Sequence, residues 1–173
     1  MSLKHAILAV LSHGDRTGYD LVHKMDGSVA NFWPASHQQV YLELKKLDEL
    51  GFVQYREKEQ KSRPDKKVYK ITKTGIGELK SWAEEPLVIA TPKDELMIKI
   101  FAGHLLEPKH LANELHRVRE LHQSKLDEYL AIEKTRFQGK LTPDRLAQYL
   151  TLRRGILFEK SWIEWCNESL KRL

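Results

Sequence analysis

Apolar residues recur at helical spacing in three blocks along the first fifty positions. Leu3, Ala6, Ile7, Val10 and Leu11 fall on one stripe, with Ser2 placed to cap a helix and Gly14 to end it. Thr17 followed three residues later by Asp20 reads as a capping box opening a second helix. Its apolar positions are Leu21, Val22, Met25 and Val29, and Phe32-Trp33-Pro34 interrupts it. Ser36 and Gln39 repeat the box ahead of a third helix bearing Val40, Leu44 and Leu47 on one face, which Gly51 closes. The period then changes. Residues 52–56 and 68–72 are β-prone runs flanking a polar, proline-containing stretch, which predicts a hairpin. Thr72 or Thr74 starts a fourth helix with Ile76, Leu79 and Trp82, and Pro86 closes it.

Three helices, a hairpin and a fourth helix within residues 1–86 is the element order of a winged helix-turn-helix. The third helix, about residues 36–50, is then the recognition helix, and the hairpin, about residues 54–70, is the wing. A helix turns about 100° per residue. Setting Val40, Leu44 and Leu47 inward puts Gln38, Tyr41, Leu42, Lys45 and Glu49 on the outer side.

The pattern breaks between Leu87 and Pro92, which predicts a second domain over residues 87–173. Thr91 and Pro92 have the chemistry of a helix start, and the helix after them is apolar on several sides (Leu96, Met97, Ile98, Ile100, Phe101), so it is expected to be well buried. Pro108 opens a long helix to about Phe137, Gly139 marks a turn, and Thr142-Pro143 opens another that reaches the end of the chain. Helices of about 30 residues span about 45 Å each, and matched lengths with a short turn predict an antiparallel pair. Leu146, Tyr149, Leu150, Leu152, Ile156, Leu157, Phe158, Trp162, Ile163 and Trp165 wrap around more than one stripe. A second copy of the chain is therefore expected to cover the face holding Leu146, Leu150, Ile156, Leu157 and Ile163 as a dimeric coiled coil. The predicted fold class is mostly α, an N-terminal winged helix followed by a long helical hairpin.

Net charge is +5, a small excess, but it is concentrated. Between Gln54 and Lys73 eight cations (Arg56, Lys58, Lys61, Arg63, Lys66, Lys67, Lys70, Lys73) face three acids (Glu57, Glu59, Asp65), so this segment accounts for the whole +5. A basic segment of this kind suits a phosphate-binding surface, and on charge alone a solvated hairpin fits equally well. No apolar run approaches the roughly 20 residues of a membrane helix, and Ala6 to Leu11 is too short for a signal sequence, which places the chain in the cytoplasm. Cys166 is the single cysteine, so neither an internal disulfide nor a thiolate zinc cluster is available. His110, His116 and His122 are spaced so that their rings diverge around a helix. No metal, no cofactor and no catalysis are expected, since no nucleophile–base pair, metal-ligand cluster or phosphate loop is visible. Tyr41 and Lys45 match a spacing found in dehydrogenases, but no glycine-rich dinucleotide loop accompanies them.

The candidate site follows from the fold. Gln38 can bond bidentately to adenine in the major groove. Gln39 and Ser36 are first a capping pair, with Gln39 a secondary candidate for DNA contact after Gln38 and Ser36 free for a second role on phosphate. Tyr41 offers a hydroxyl to phosphate or packs beside the helix, and Lys45 is placed for a phosphate. Lys61, Arg63, Lys66 and Lys67 lie in or beside the wing turn. Trp82, Phe101, Trp162 and Trp165 either pack the core and dimer interface or line a pocket for a small aromatic effector.

The residues carry a resemblance. Thr17-Gly18-Tyr19-Asp20, Ala35-Ser36-His37-Gln38-Gln39-Val40-Tyr41, Leu44, Leu47, Gly51-Phe52-Val53, Pro64-Asp65-Lys66-Lys67-Val68-Tyr69, Ile71-Thr72 and Gly75 follow one another at the spacing of PadR-family transcription regulators. Thr151-Leu152-Arg153-Arg154 and Trp162-Ile163-Glu164-Trp165 resemble the last helix of the AphA-like virulence-activator group within that family. The resemblance implies a homodimer, an N-terminal domain that binds double-stranded DNA, and a C-terminal antiparallel coiled coil; a dimer on DNA is expected either to block RNA polymerase or to assist a second transcription factor. Leu42 departs from the pattern, standing where the AphA-like group tends to have Arg and other members often have Pro, so operator sequence does not carry over.

Overall fold

Helix α1 (Leu3–Ser12) buries its apolar stripe, and the chain turns at Gly14, whose φ of 127° is one that L side chains rarely adopt. These features belong to a computed structural model, which describes residues 3–24, 33–58, 66–87 and 93–173. A two-residue strand, β1 (Arg16–Thr17), leads into α2 (Gly18–Lys24). The Thr17–Asp20 box forms in both directions: the Asp20 amide donates to the Thr17 hydroxyl at 3.0 Å, and the Thr17 amide donates to the Asp20 carboxylate at 3.2 Å. The bonds from Thr17 hold the Asp20 carboxyl below the usual carboxylate range. Helix α3 (His37–Glu49) follows, then strands β2 (Val53–Lys58) and β3 (Lys66–Ile71), and helix α4 (Lys73–Glu84). The three strands form an antiparallel sheet in the order β1-β3-β2. Met25 and Val29, expected to extend the second helix, lie outside the described residues, as does the cap expected at Ser2.

One core joins these elements. Ile7, Leu8 and Leu11 meet Leu21 and Val22, the inner face of α3, and Val53, Tyr69 and Ile71 of the sheet. The turn after α3 is a tight crossing. Gly51 takes φ 69°, the Phe52 amide returns to the Leu47 carbonyl, and the Thr72 hydroxyl donates to the Gly51 carbonyl at 2.7 Å while capping α4 through the Gly75 amide. Helix α4 rests on α1 through a Lys4–Glu78 ion pair at 2.5 Å and a stack of His5 on Trp82. Its expected apolar face is only partly inward: Leu79 packs on the core, whereas Ile76 and Trp82 stay exposed.

The chain divides into two compact units, Met1–Val88 and Ile89–Leu173. In the second, α5 (Glu95–Phe101) precedes a short 3-10 turn (Gly103–Leu105) and two long helices, α6 (Pro108–Arg136) and α7 (Pro143–Leu170), which pack antiparallel. Two apolar clusters fill this unit. Leu115, Val118 and Cys166 form one with Leu96, Ile100, Trp162 and Trp165, and Leu126, Tyr129 and Ile156 form the other. Burial pushes the Cys166 thiol up, so it behaves as a packed hydrophobe. Helix α5 corrects the expected helix start. Asp94 caps it by accepting from the Leu96 and Met97 amides, while Thr91 and Pro92 fall outside the described residues. Nor is it well buried, since none of its residues is buried and Phe101 is 89% exposed.

Two glycines two positions apart in α4 test the crossing. A Cβ at Gly75 would collide with the Phe52 carbonyl oxygen, whereas one at Gly77 meets nothing within 4 Å. Gly75→Ala is expected to destabilise by about 1–3 kcal/mol through overpacking. Gly77→Ala is expected to stabilise by about 0.5–1 kcal/mol through helix propensity. Denaturant melts of the two variants read opposite signs, and equal signs would refute the packing at Gly75.

Candidate nucleic-acid interface

Which face of α3 points outward is decided by burial. Val40, Leu44 and Leu47 are fully buried, so Gln38, Tyr41, Leu42, Lys45 and Glu49 are exposed together on the other side. The N-terminus of α3 is fixed by the expected capping box: the Gln39 amide donates to the Ser36 hydroxyl at 3.3 Å, and the Ser36 amide donates to the Gln39 side-chain oxygen at 2.8 Å. Both side chains are occupied there, and Gln38, one position earlier than Gln39, is exposed beside them. Tyr41 lies against α2, where a Cβ at Gly18 would stand 2.6 Å from its ring, so Gly18 is required for this packing. Its ring is thus a spacer between α2 and α3, although the side chain stays exposed. Lys45 is exposed, with Glu49 one turn on at 3.9 Å.

The wing is longer than composition suggests. Ladder pairing carries β2 to Lys58 and starts β3 at Lys66, with Glu57 opposite Lys67 and Lys58 opposite Lys66. Residues directly opposite share a face, and successive residues alternate. The inner face therefore holds Val53, Tyr55, Glu57, Lys67, Tyr69 and Ile71, and the outer face holds Gln54, Arg56, Lys58, Lys66, Val68 and Lys70. Lys67 sits 4.0 Å from the centre of the Tyr55 ring, and its contact with the Tyr55 hydroxyl raises its pKa. Lys66 and Lys67, adjacent in sequence, thus act on opposite sides of the hairpin. Lys61 and Arg63 lie outside the described residues. Strands drawn from β-propensity end before Lys58 and begin after Lys66, so the shared face of Arg56, Lys58, Lys66 and Lys70 is not visible there. The two-residue alternation of Gln54, Arg56 and Lys58 is the signal that reveals it.

In the helical unit the expected interface residues separate. Ile156 is fully buried inside the hairpin against Leu126 and Tyr129, and Ile163 packs on the same cluster. Leu146, Leu150 and Leu157 remain exposed, the last two at 60% and 56%. The tryptophans are also split. Trp82 stacks on His5, while Trp162 lies against His122 and Trp165. Trp162 and Trp165 line a cleft of about 240 Å³ with Asp94, Met97 and Ser161. The His122 ring nitrogen donates to the buried Glu159 carboxylate at 2.5 Å across α6 and α7, a packing role. No described helix is long and apolar enough to cross a membrane.

Comparison with known proteins gives the same architecture. Residues 7–81 match the transcriptional regulator PadR-like family, and residues 92–173 match virulence activator alpha C-term. A probable transcriptional regulator of Mycobacterium tuberculosis is 34% identical across the whole chain and 98% of its own length. The crystal structure of Bacillus subtilis PadR in complex with operator DNA superposes with a TM-score of 0.87 at 30% identity, covering 98% of each chain. The same protein in complex with p-coumaric acid gives 0.80, over 98% of this chain and 97% of that one. The virulence activator AphA of Vibrio cholerae gives 0.78 at 34% identity, over 99% and 97% of the two chains. With its winged helix, its helical hairpin and this similarity along its full length, the chain belongs to the PadR-like family of transcriptional regulators.

Proposed function

We propose that this protein is a homodimeric regulator that reads a pseudo-palindromic operator with α3 and holds flanking phosphates with its basic wing. The observation that carries the reading is the exposure of Gln38 beside a capping box that already engages Ser36 and Gln39. Gln38 is the base reader, bidentate to adenine. Ser36 adds a phosphate contact to its capping role, and Gln39 stays with the cap. Tyr41 and Lys45 meet the backbone, Tyr41 through its hydroxyl from its seat on Gly18. Lys61, Arg63, Lys66 and Lys67 supply wing charge. The relative solved with operator DNA supports the same use of the same fold.

The partner copy covers the apolar surface of the helical unit. Leu146, Leu150 and Leu157 lie exposed on α7, and Ile98 and Phe101 on α5. These exposed apolar side chains are the ones a second copy would remove from water. Ile156 and Ile163 support that interface from within the hairpin. The dimer works in the cytoplasm, either blocking RNA polymerase or assisting a second transcription factor. A second reading has an observation of its own: the cleft lined by Trp162 and Trp165 suits a small aromatic effector, and the Bacillus subtilis relative is solved with p-coumaric acid. Saturable quenching of tryptophan fluorescence by phenolic compounds, lost in Trp162→Ala, is the expected signature.

Two variants separate readout from attraction. Gln38→Ala is expected to weaken the preferred site by about 1–3 kcal/mol and relax one base pair per half-site, while Lys45→Ala weakens all sequences alike. Selection of bound sequences from a random pool measures both, and a parental motif returned by Gln38→Ala overturns its role. Leu150→Asp with Leu157→Asp places unpaired charges in the apolar interface and is expected to shift the chain to a monomer in sedimentation. A double variant that still sediments as a dimer overturns the assigned face.

A further inference from the structure

Leu42 is an apolar side chain in the middle of the polar face of α3. On a helix turning about 100° per residue it lies within about 20° of the direction opposite the mean of Val40, Leu44 and Leu47. Gln38, Tyr41 and Lys45 all stand further from that direction. Leu42 is 54% exposed, so the core does not require it. Its neighbours on the face are Gln38 one turn earlier, Tyr41 just before it and Lys45 nearly one turn later, all of them exposed. Glu49 shares its direction two turns further on, but there, at the end of α3, it stands 3.9 Å from Lys45. A recognition helix meets base edges with its N-terminal residues, a condition that favours Gln38 and Leu42 over Glu49.

We propose that Leu42 is a specificity-determining residue, which packs against the C5 methyl group of a thymine in each half-site. This rests on the reading of α3 as the helix in the major groove and deepens it by assigning a second base. The side chain can neither donate nor accept a hydrogen bond, so neither phosphate nor a polar base edge is its partner. Of the four standard bases only thymine presents an apolar group in the major groove. Cytosine or adenine in the same place would set an amino group against the leucine and deprive that donor of water, which penalises the wrong base as well as rewarding the right one. Gln38 and Leu42 are four residues apart, about 6 Å along the helix, and base pairs rise about 3.4 Å. The thymine therefore stands within about two base pairs of the adenine read by Gln38. A single leucine flanked by Gln38 and Lys45 is no apolar patch of the kind that anchors a protein partner.

The test replaces each thymine of a duplex recovered by random-sequence selection with deoxyuridine, which removes the methyl group and keeps the base pair, and titrates it with the full-length protein. At one position per half-site uracil is expected to weaken the parent about fourfold, the effect of one uncovered methyl-sized group, and about 15-fold when both half-sites carry it. Leu42→Ala is expected to fold, since the side chain is exposed, and to bind thymine and uracil alike at that position. Leu42→Arg is expected to move the selected base there from thymine to guanine, whose O6 and N7 accept from a guanidinium. If every uracil effect survives Leu42→Ala while Gln38→Ala relaxes the motif, the assignment of Leu42 alone is overturned. If Leu42→Ala loses regulation in cells with the selected motif and the uracil effects unchanged, the leucine contacts a protein and the proposal is overturned as well. If the parent selects no motif, the reading of α3 and this assignment fall together.

Discussion

The burial of Val40, Leu44 and Leu47 is the constraint on which the proposed interface depends. A fully buried aliphatic side chain contributes about 1.5–3 kcal/mol, and one residue of rotation moves a helix face by about 100°. Turning α3 would therefore expose three such side chains and drive Tyr41, Leu42 or Lys45 into the core. The outward set is the complement of the inward one, and apart from Tyr41, which is seated on Gly18, its chemistry is free to vary because it has no part in packing. Leu42, the departure from the family pattern, illustrates this: it is exposed, so its identity is not needed for the core. The crossing at Gly51-Phe52 then ties α3 to β2, and Thr72 ties both to α4, so the sheet is set relative to α3 by hydrogen bonds.

The helical unit solves a different problem. Two long helices with apolar residues on several stripes have more than one way to pair, and polar contacts select one register. His122 with Glu159, and Glu133 with both Tyr149 and Arg153, bridge α6 and α7 at defined heights. Gly155 admits the Tyr129 ring, since a Cβ there would stand 2.9 Å from it. A slipped register leaves the buried Glu159 carboxylate without its partner, so it is penalised even where apolar contacts are preserved.

Much of this was legible in the residues because it is local. Caps at Thr17, Ser36 and Thr72, the left-handed turn at Gly51 and the period of α3 depend on neighbours within one or two turns. What was not legible depends on partners distant in sequence. Lysines at 58 and 66 do not look like strand residues, and only their pairing extends the ladder. Tyr41 gains its seat from Gly18, a residue 23 positions away. Ile156 and Ile163 are seven residues apart, as are Leu150 and Leu157, so the sequence carries two stripes about 100° apart, and periodicity does not say which is the seam of the hairpin and which the face of a dimer. Helix α5 has the composition of a core helix, yet Met97, Ile98 and Phe101 face outward in the single chain while only Leu96 and Ile100 pack on the cluster.

The most direct measurement is the stoichiometry of the full-length protein on a duplex recovered from random-sequence selection, followed by titration with sedimentation. Two chains per duplex are expected, on half-sites related by a two-fold axis and separated by about one helical turn or a multiple of it. Saturation by one chain per duplex with undiminished sequence preference, or a selected motif without two-fold symmetry, would contradict a dimer that reads DNA with paired α3 helices.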